Sequence, residues 1–304
     1  MSLAKRWDVL GVGCNSVDYV YRIPVSPQAG SATAKQQILA HSRMCGGQVA
    51  TAMTACAAFG LRTAYLGAIG SDDNGRLIAA ALERAGVDTS PALIRECDNR
   101  FAVITVDDTG DRVVMWHRDA RLNLSPGEIT PDLLHSAAVV HVDDEDQEAA
   151  ITAARVAAEG GVAVTSDIDR VTDRTRALID AVTIPIFAEH VLPALTGEPN
   201  VEAALRDLRR PHHHMLCVTL GASGSAMLLG EEWIYEPGVE IHAVDTTGAG
   251  DVFRAAFIFG LSKAYAPDRM LRVANAAAAL SCTRAGAMAG VPSLNEVEDL
   301  LTGA

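Results

Sequence analysis

The stretch "VDTTGAGDVFRAAF", Val244 to Phe257, sets two carboxylates around a short loop of threonine and glycine and then turns apolar. Gly248 and Gly250 remove side chains where a charged group could approach the backbone. A helix beginning near Ala249 points its unpaired first-turn amides and its positive dipole end at that loop, which is how anion sites are built. Asp251, at the helix start, can accept a proton from a hydroxyl beside the anion. The same pattern also fits a plainer arrangement, in which Asp251 only caps the helix and the glycines only turn the chain.

Before this stretch, short apolar runs alternate with longer helical patterns. Residues 8–13, 63–70, 138–143, 161–167, 184–188 and 215–221 read as buried strands by their apolar, β-branched content. Helical patterns follow at 47–59, closed by Gly60, and at 75–85, closed by Gly86. The alternation implies right-handed crossovers and a doubly wound α/β fold, with a mainly parallel sheet and helices on both faces. Residues 100–119 break the rhythm as two extended runs around a Gly-containing turn, a hairpin pattern. With the helix-free segment 18–40 they read as a small β lid, formed by about 18–40 and 98–120, on a single domain spanning 1–304. Three helices close the chain, at 249–264, 267–285 and 293–302, the last opening with a Ser293–Glu296 capping box.

Composition narrows the function. The 304 residues are 49% hydrophobic and 21% charged, enough to build a large core without disulfides or structural metals. A net charge of −13 disfavours nucleic acid as a partner. Six cysteines without a C-x-x-C pair read as reduced, mostly buried thiols. No run of about 18 apolar residues spans a membrane. The opening "MSLAKRWDVLGVG" lacks the apolar core of a signal peptide, so a cytoplasmic location is expected.

"DTTGAGDVF" followed by a small-residue helix resembles the C-terminal signature of the ribokinase-like (PfkB) family of carbohydrate kinases. Four further stretches are similar to family motifs and stand in the family's order: "CGGQVATAM" (45–53), "GAIGSDDNG" (67–75), "VTLGASG" (218–224) and "ANAAAALSCTRAGA" (274–287). The resemblance implies a ribokinase-like fold and ATP-dependent phosphorylation of a sugar or sugar acid, with Mg²⁺. By the same resemblance Asp251 is the general base, and the amides of Gly248, Ala249 and Gly250 form the anion hole. Asp18, Gly46, Gly47 and Thr51 would meet the sugar, and Thr219, Gly221, Gly224 and Asn275 the nucleotide. Asp245 and Thr247 would contribute to a monovalent-cation site, such as one for K⁺, or Asp245 would only hold the loop amides. A homodimer joined through the lid is also implied.

The sequence departs from the family at three positions. Thr51 stands where an asparagine is usual, and a hydroxyl offers less than an amide. Ala188 and Val191 occupy the two defining positions of the family's N-x-x-E motif, which helps organise Mg²⁺. Glu189 and Asp167, near the ends of predicted strands, are the candidates to replace it, with Asp143 a further one, since open α/β sheets place ligands at carboxyl strand ends; the competing reading is that these acids cap the following helices. Arg112 and Arg118, with Arg100 and His117, are cations on the hairpin that can meet substrate hydroxyls or a phosphate, unless they are ordinary exposed strand residues.

Two other patterns are set aside. "PHHHM" (211–215) lacks partner ligands at metal spacing and reads as a solvated loop. "GVGCNS" (11–16) lacks the third glycine and the distal acid of a dinucleotide fingerprint. A nucleoside kinase is the nearest competing activity; it needs a stacking surface that the 5% aromatic content hardly supplies. A catalytically weak sugar-binding relative is the other, favoured by the absent N-x-x-E.

Overall fold

The computed structural model describes residues 5–303; the first four residues of the opening stretch lie outside it. Strand β1 (Trp7–Val12) is followed by β2 (Ser16–Arg22), β3 (Ala40–Gly46), α1 (Gln48–Ala58), β4 (Thr63–Leu66), β5 (Ala68–Gly70), α2 (Asp73–Arg84) and β6 (Leu93–Arg95). Then come β7 (Phe101–Val106), β8 (Arg112–His117), α3 (Pro131–His135), β9 (Ala137–Val142), α4 (Gln147–Glu159), β10 (Ala163–Ser166) and α5 (Thr175–Ile179). Next are β11 (Ile186–Ala188), α6 (Val191–Thr196), α7 (Val201–Leu208), β12 (Leu216–Thr219), β13 (Gly224–Leu229) and β14 (Glu232–Pro237). Helices α8 (Ala249–Ser262), α9 (Pro267–Ser281) and α10 (Leu294–Thr302) close the chain.

Four strands run parallel in the order β10-β9-β1-β4. Parallel bridges at Thr165–Ile184 and Ile168–Phe187 continue them into β11-β12-β13-β14. Strand β11 pairs with β12 in parallel, whereas β13 and β14 add antiparallel strands. Adjacent residues of one strand enter opposite cores. Leu10 and Val140 pack with α4 and α7, while Val9 and Val139 pack with α1, α8 and α9. Helices therefore cover both faces, as expected of strands that read as continuous apolar runs.

The hairpin forms as expected, with β7 and β8 antiparallel. It belongs to a separate four-stranded sheet, β3-β2-β7-β8. That sheet extends beyond the expected segments, because β3 runs on to Gly46 and enters α1 directly. Every residue of the edge strand β8 is exposed. The Ser293–Glu296 capping box forms at α10. The "PHHHM" segment is a loop with Pro211, His212 and His214 exposed, as read; His213 alone departs from that reading, being buried, accepting from Arg210 N and contacting Ile179 O. Among the described residues no helix is long and apolar enough to cross a membrane.

Candidate active site

Helix α8 owes its position to its apolar content. All nine residues from Val252 to Gly260 are buried, and they wedge the helix between α1 and α9. Its N-terminus stays open. Gly248 is the cap residue, at φ +81°, with no side chain bonding the first-turn amides. Only glycine fits there, since a Cβ would lie 2.7 Å from Ala287 Cβ and in a left-handed conformation. Asp245 braces the loop by accepting from Thr247 N (3.0 Å) and Gly286 N (2.8 Å). Burial pushes the Asp245 carboxyl up, but these donors and the nearby charge of Arg112 outweigh it and hold it below the usual range.

Two groups of residues flank this loop. On one side lies a cavity of about 470 Å³, lined by Thr219, Gly221, Gly224, Asn275, Ala249 and Gly250. Asn275 closes its wall by donating to Glu236 O (3.0 Å) and Pro237 O (3.1 Å). On the other side are Asp18 and Gly46. A Cβ on Gly46 would stand 3.3 Å from Asp18 Oδ2 and 3.6 Å from Ala287 Cβ, so Ala287 neighbours both the loop and the Asp18–Gly46 pair. Gly47 caps the start of α1 at φ +98°, with Asn15 so close that any side chain would strike its backbone.

Beneath the loop three acids gather at the carboxyl ends of the central strands. Asp143 follows β9 and Asp167 follows β10, and both are buried. Asp143 accepts from Cys14 N (2.7 Å) and Glu145 N (3.1 Å), yet burial pushes it up to about 6. Asp167 pairs with Arg254 Nη2 at 2.7 Å, both side chains under 5% exposed; burial still lifts it to about 7. Asp251, in the first turn of α8, keeps some open surface. Its carboxyl faces that of Asp167 within hydrogen-bonding reach, and burial followed by the Asp167 charge raises it well above the carboxylate range. Breaking a buried pair such as Asp167–Arg254 from one side costs ~3–5 kcal/mol.

Residues 16–294 match the pfkB family carbohydrate kinase domain. The chain belongs to the pfkB family of carbohydrate kinases. It is an ATP-dependent kinase that phosphorylates a sugar. An ATP-dependent ribose-1-phosphate kinase of Halopiger xanaduensis is 31% identical over 282 residues, covering 92% of this chain and 93% of that one. Fructokinase-1 of Oryza sativa is 29% identical, covering 85% and 88%. The solved structure of Arabidopsis thaliana ribokinase complexed with ribose and ATP superimposes with a TM-score of 0.87 at 26% identity, covering 98% and 99% of the two chains.

Within this kinase the expected residues fall into groups. Gly248, Ala249, Gly250 and Asp251 sit together at the head of α8, and the four expected nucleotide residues line one cavity. Asp18, Gly46 and Gly47 meet beside the same loop. Thr51 does not share their access: it has no exposed surface, and its hydroxyl is buried without a partner. Arg112 is exposed on β8, whereas Arg118 is engaged with Glu145 O and Asn123 Oδ1. Arg100 pairs with Glu145 at 2.7 Å. Glu189 is exposed and lines a different hollow, of about 300 Å³, with His190 and Pro193. Asp167 does reach the centre, but its partner there is a guanidinium.

Sequence reasoning passed over two contributors. Asn15 is buried and donates to Tyr65 Oη (2.8 Å) and Ala68 O (2.9 Å), while Asn99 donates to it in turn (2.9 Å). This network fixes the chain between β1 and β2, where Asp18 begins its approach. Arg254 is the other, and a signal for it existed: it is the one charge inside an otherwise apolar helix run.

Proposed function

We propose that this kinase transfers the γ-phosphoryl group of ATP to a hydroxyl of a sugar or sugar acid, with Asp251 as general base. The amides of Gly248, Ala249 and Gly250 stabilise the charge on the group in transit. The observation that carries the reading is the uncapped start of α8, which borders the 470 Å³ cavity and lies beside Ala287, the residue that also neighbours Gly46. Phosphoryl transfer is mostly positioning and charge stabilisation, and a glycine-opened helix N-terminus supplies both.

The nucleotide lies along Thr219, Gly221, Gly224 and Asn275, where an apolar wall of Phe253, Ala278 and Ala279 suits a purine face. The sugar sits against Gly46 and Gly47, with Asp18 accepting from its hydroxyls. Burial raises the Asp18 carboxyl, and hydroxyl donors offset that. Arg112, exposed on β8 and near enough for its charge to lower the Asp245 carboxyl, meets the anionic end of the substrates. The four-stranded sheet acts as a lid that excludes water, so that ATP is not hydrolysed instead. Among the described residues no three His, Cys, Asp or Glu side chains converge as a metal cage. Mg²⁺ fits this site as a companion of the nucleotide phosphates, which is how kinases commonly hold it; bound there, it neutralises phosphate charge. With both Asp245 oxygens bonded to amides, Asp245 is assigned to holding the loop.

An ADP-release assay with ribose, ribose 1-phosphate, fructose and 5-dehydro-2-deoxygluconate tests the activity and the choice of acceptor. Asp251→Asn tests the base: turnover should fall about 10³-fold or more, with ATP binding retained. Wild-type turnover in that variant would refute the mechanism.

A further inference from the structure

Arg254 is buried within α8, one turn after Asp251, in a helix face made otherwise of apolar residues. Nothing in the packing of that face calls for a charge, and a buried guanidinium is unfavourable unless it is paired. Its position answers to the site instead. Nη2 holds Asp167 Oδ1 at 2.7 Å. A Cβ on Gly250 would fall 2.7 Å from Nη1, so the guanidinium passes directly beside the anion loop. The absence of a side chain at Gly250 is what lets it through. Asp167, held in this way, faces Asp251 within hydrogen-bonding reach. The chain of contacts runs from Arg254 to Asp167 to Asp251, and each member sits on a rigid element or at its end: α8, the carboxyl end of β10, and α8 again.

We propose that Arg254 is a positioning residue for phosphoryl transfer: it anchors Asp167, which in turn fixes the Asp251 carboxyl beside the Gly248–Gly250 loop. The inference rests on Asp251 being the base. In the step itself the sugar O–H bond breaks and its proton passes to Asp251. The sugar oxygen bonds to the γ-phosphorus, and the bond from that phosphorus to the bridging oxygen breaks, its electron pair leaving with ADP. The proton stays between Asp251 and Asp167 until product departs and solvent takes it. Arg254 touches no reacting atom; it sets the direction from which Asp251 meets the hydroxyl, where misplacement by about 1 Å can slow a reaction ~100-fold.

The test compares Arg254→Met, Arg254→Lys and the double variant Arg254→Met/Asp167→Asn with the wild type, using ATP and the acceptor that the wild type phosphorylates fastest. The single Met variant leaves Asp167 as a buried unpaired charge and is expected to melt at lower temperature. The double variant removes both charges and should melt near the wild type. Its kcat should nevertheless fall about 100-fold, with KM for ATP and sugar within about twofold. Lys should recover at least tenfold of the loss. A double variant with wild-type kcat would overturn the inference, leaving Arg254 as a structural ion-pair partner. Unchanged kcat with raised sugar KM would overturn it too, by moving the pair into ground-state binding. Asp251→Asn, measured alongside, keeps the two readings apart: wild-type turnover there removes the base itself, whereas wild-type turnover in the double variant removes only the role of Arg254.

Discussion

Gly248→Ala perturbs the proposed anion hole by one methyl group and can be set against an internal control. Two penalties act at Gly248. Its φ of +81° lies in the left-handed region, which costs a residue with a Cβ ~1–2 kcal/mol. The new carbon would also stand 2.7 Å from Ala287 Cβ and 2.8 Å from Ala287 Cα, against 3.4 Å for ordinary contact. Neither neighbour can swing away, because one is backbone and the other is fixed to it. The loop must therefore move by about 0.7 Å relative to Ala287, the difference between those contacts. Gly60 supplies the control: its φ is +85°, but nothing lies within 4 Å of a Cβ built there. Gly60→Ala should lose ~1–2 kcal/mol of stability from backbone strain alone and keep its kcat. Gly248→Ala should lose at least as much stability and, in addition, about 100-fold in kcat from displaced amides. Urea unfolding and ADP release measure the two quantities. Wild-type kcat in Gly248→Ala, or an equal fall in Gly60→Ala, would refute the reasoning.

Thr51→Val removes a buried hydroxyl that has no partner, so it should stabilise the kinase by about 1 kcal/mol and leave sugar KM unchanged. A tenfold rise in KM would restore Thr51 to the substrate site. His213 titrates in the opposite sense to the buried acids. Burial lowers it to about 4, below the 6.5 of the unfolded chain, so its contribution is present above pH 6.5 and drains away as pH falls toward 4. The loss by pH 4 is ~3 kcal/mol, read as the pH dependence of urea unfolding in the wild type minus that in His213→Gln. Parallel curves would show that His213 does not titrate this way.

The fold was largely legible because buried parallel strands write themselves as β-branched runs. β4, β10, β11 and β12 fall inside the segments read as strands, and β1 and β9 each begin one residue before theirs. The antiparallel pair β13–β14 was not, since "GSAMLL" carries no alternation and the turn before it reads equally as the end of a motif. Strand β3 escaped for the opposite reason: "AHSRMCG" is exposed over much of its length and has no apolar period. The glycine loop was legible because its chemistry is local. Arg254 was not, because its partner Asp167 ends a different strand, and only the folded sheet brings them together. Glu189 shows the complementary limit. Its place at a strand end was read correctly, but β11 ends at Ala188 and the next side chain lines another hollow.

The absent N-x-x-E need not leave the site short of acid; its two defining positions are filled by a half-buried alanine and a fully buried valine, so that corner contributes packing rather than charge. Negative charge is concentrated at the ends of β9 and β10 instead, where each acid already has donors. Asp143 takes two backbone amides. Asp144 takes the amides of Asp169 and Arg170. Asp167 takes a guanidinium. Among the described residues no N–H or O–H group donates to the Asp251 side chain, whose close polar neighbour is the carboxyl of Asp167. An acid with open surface, no dedicated donor and a proton-sharing neighbour is built to gain a proton and pass it on. Asp143 and Asp144, each held by two backbone amides, take no part in that exchange. The same arithmetic bears on the charge buried in α8: Arg254 keeps Asp167 paired beside Asp251, the proposed base.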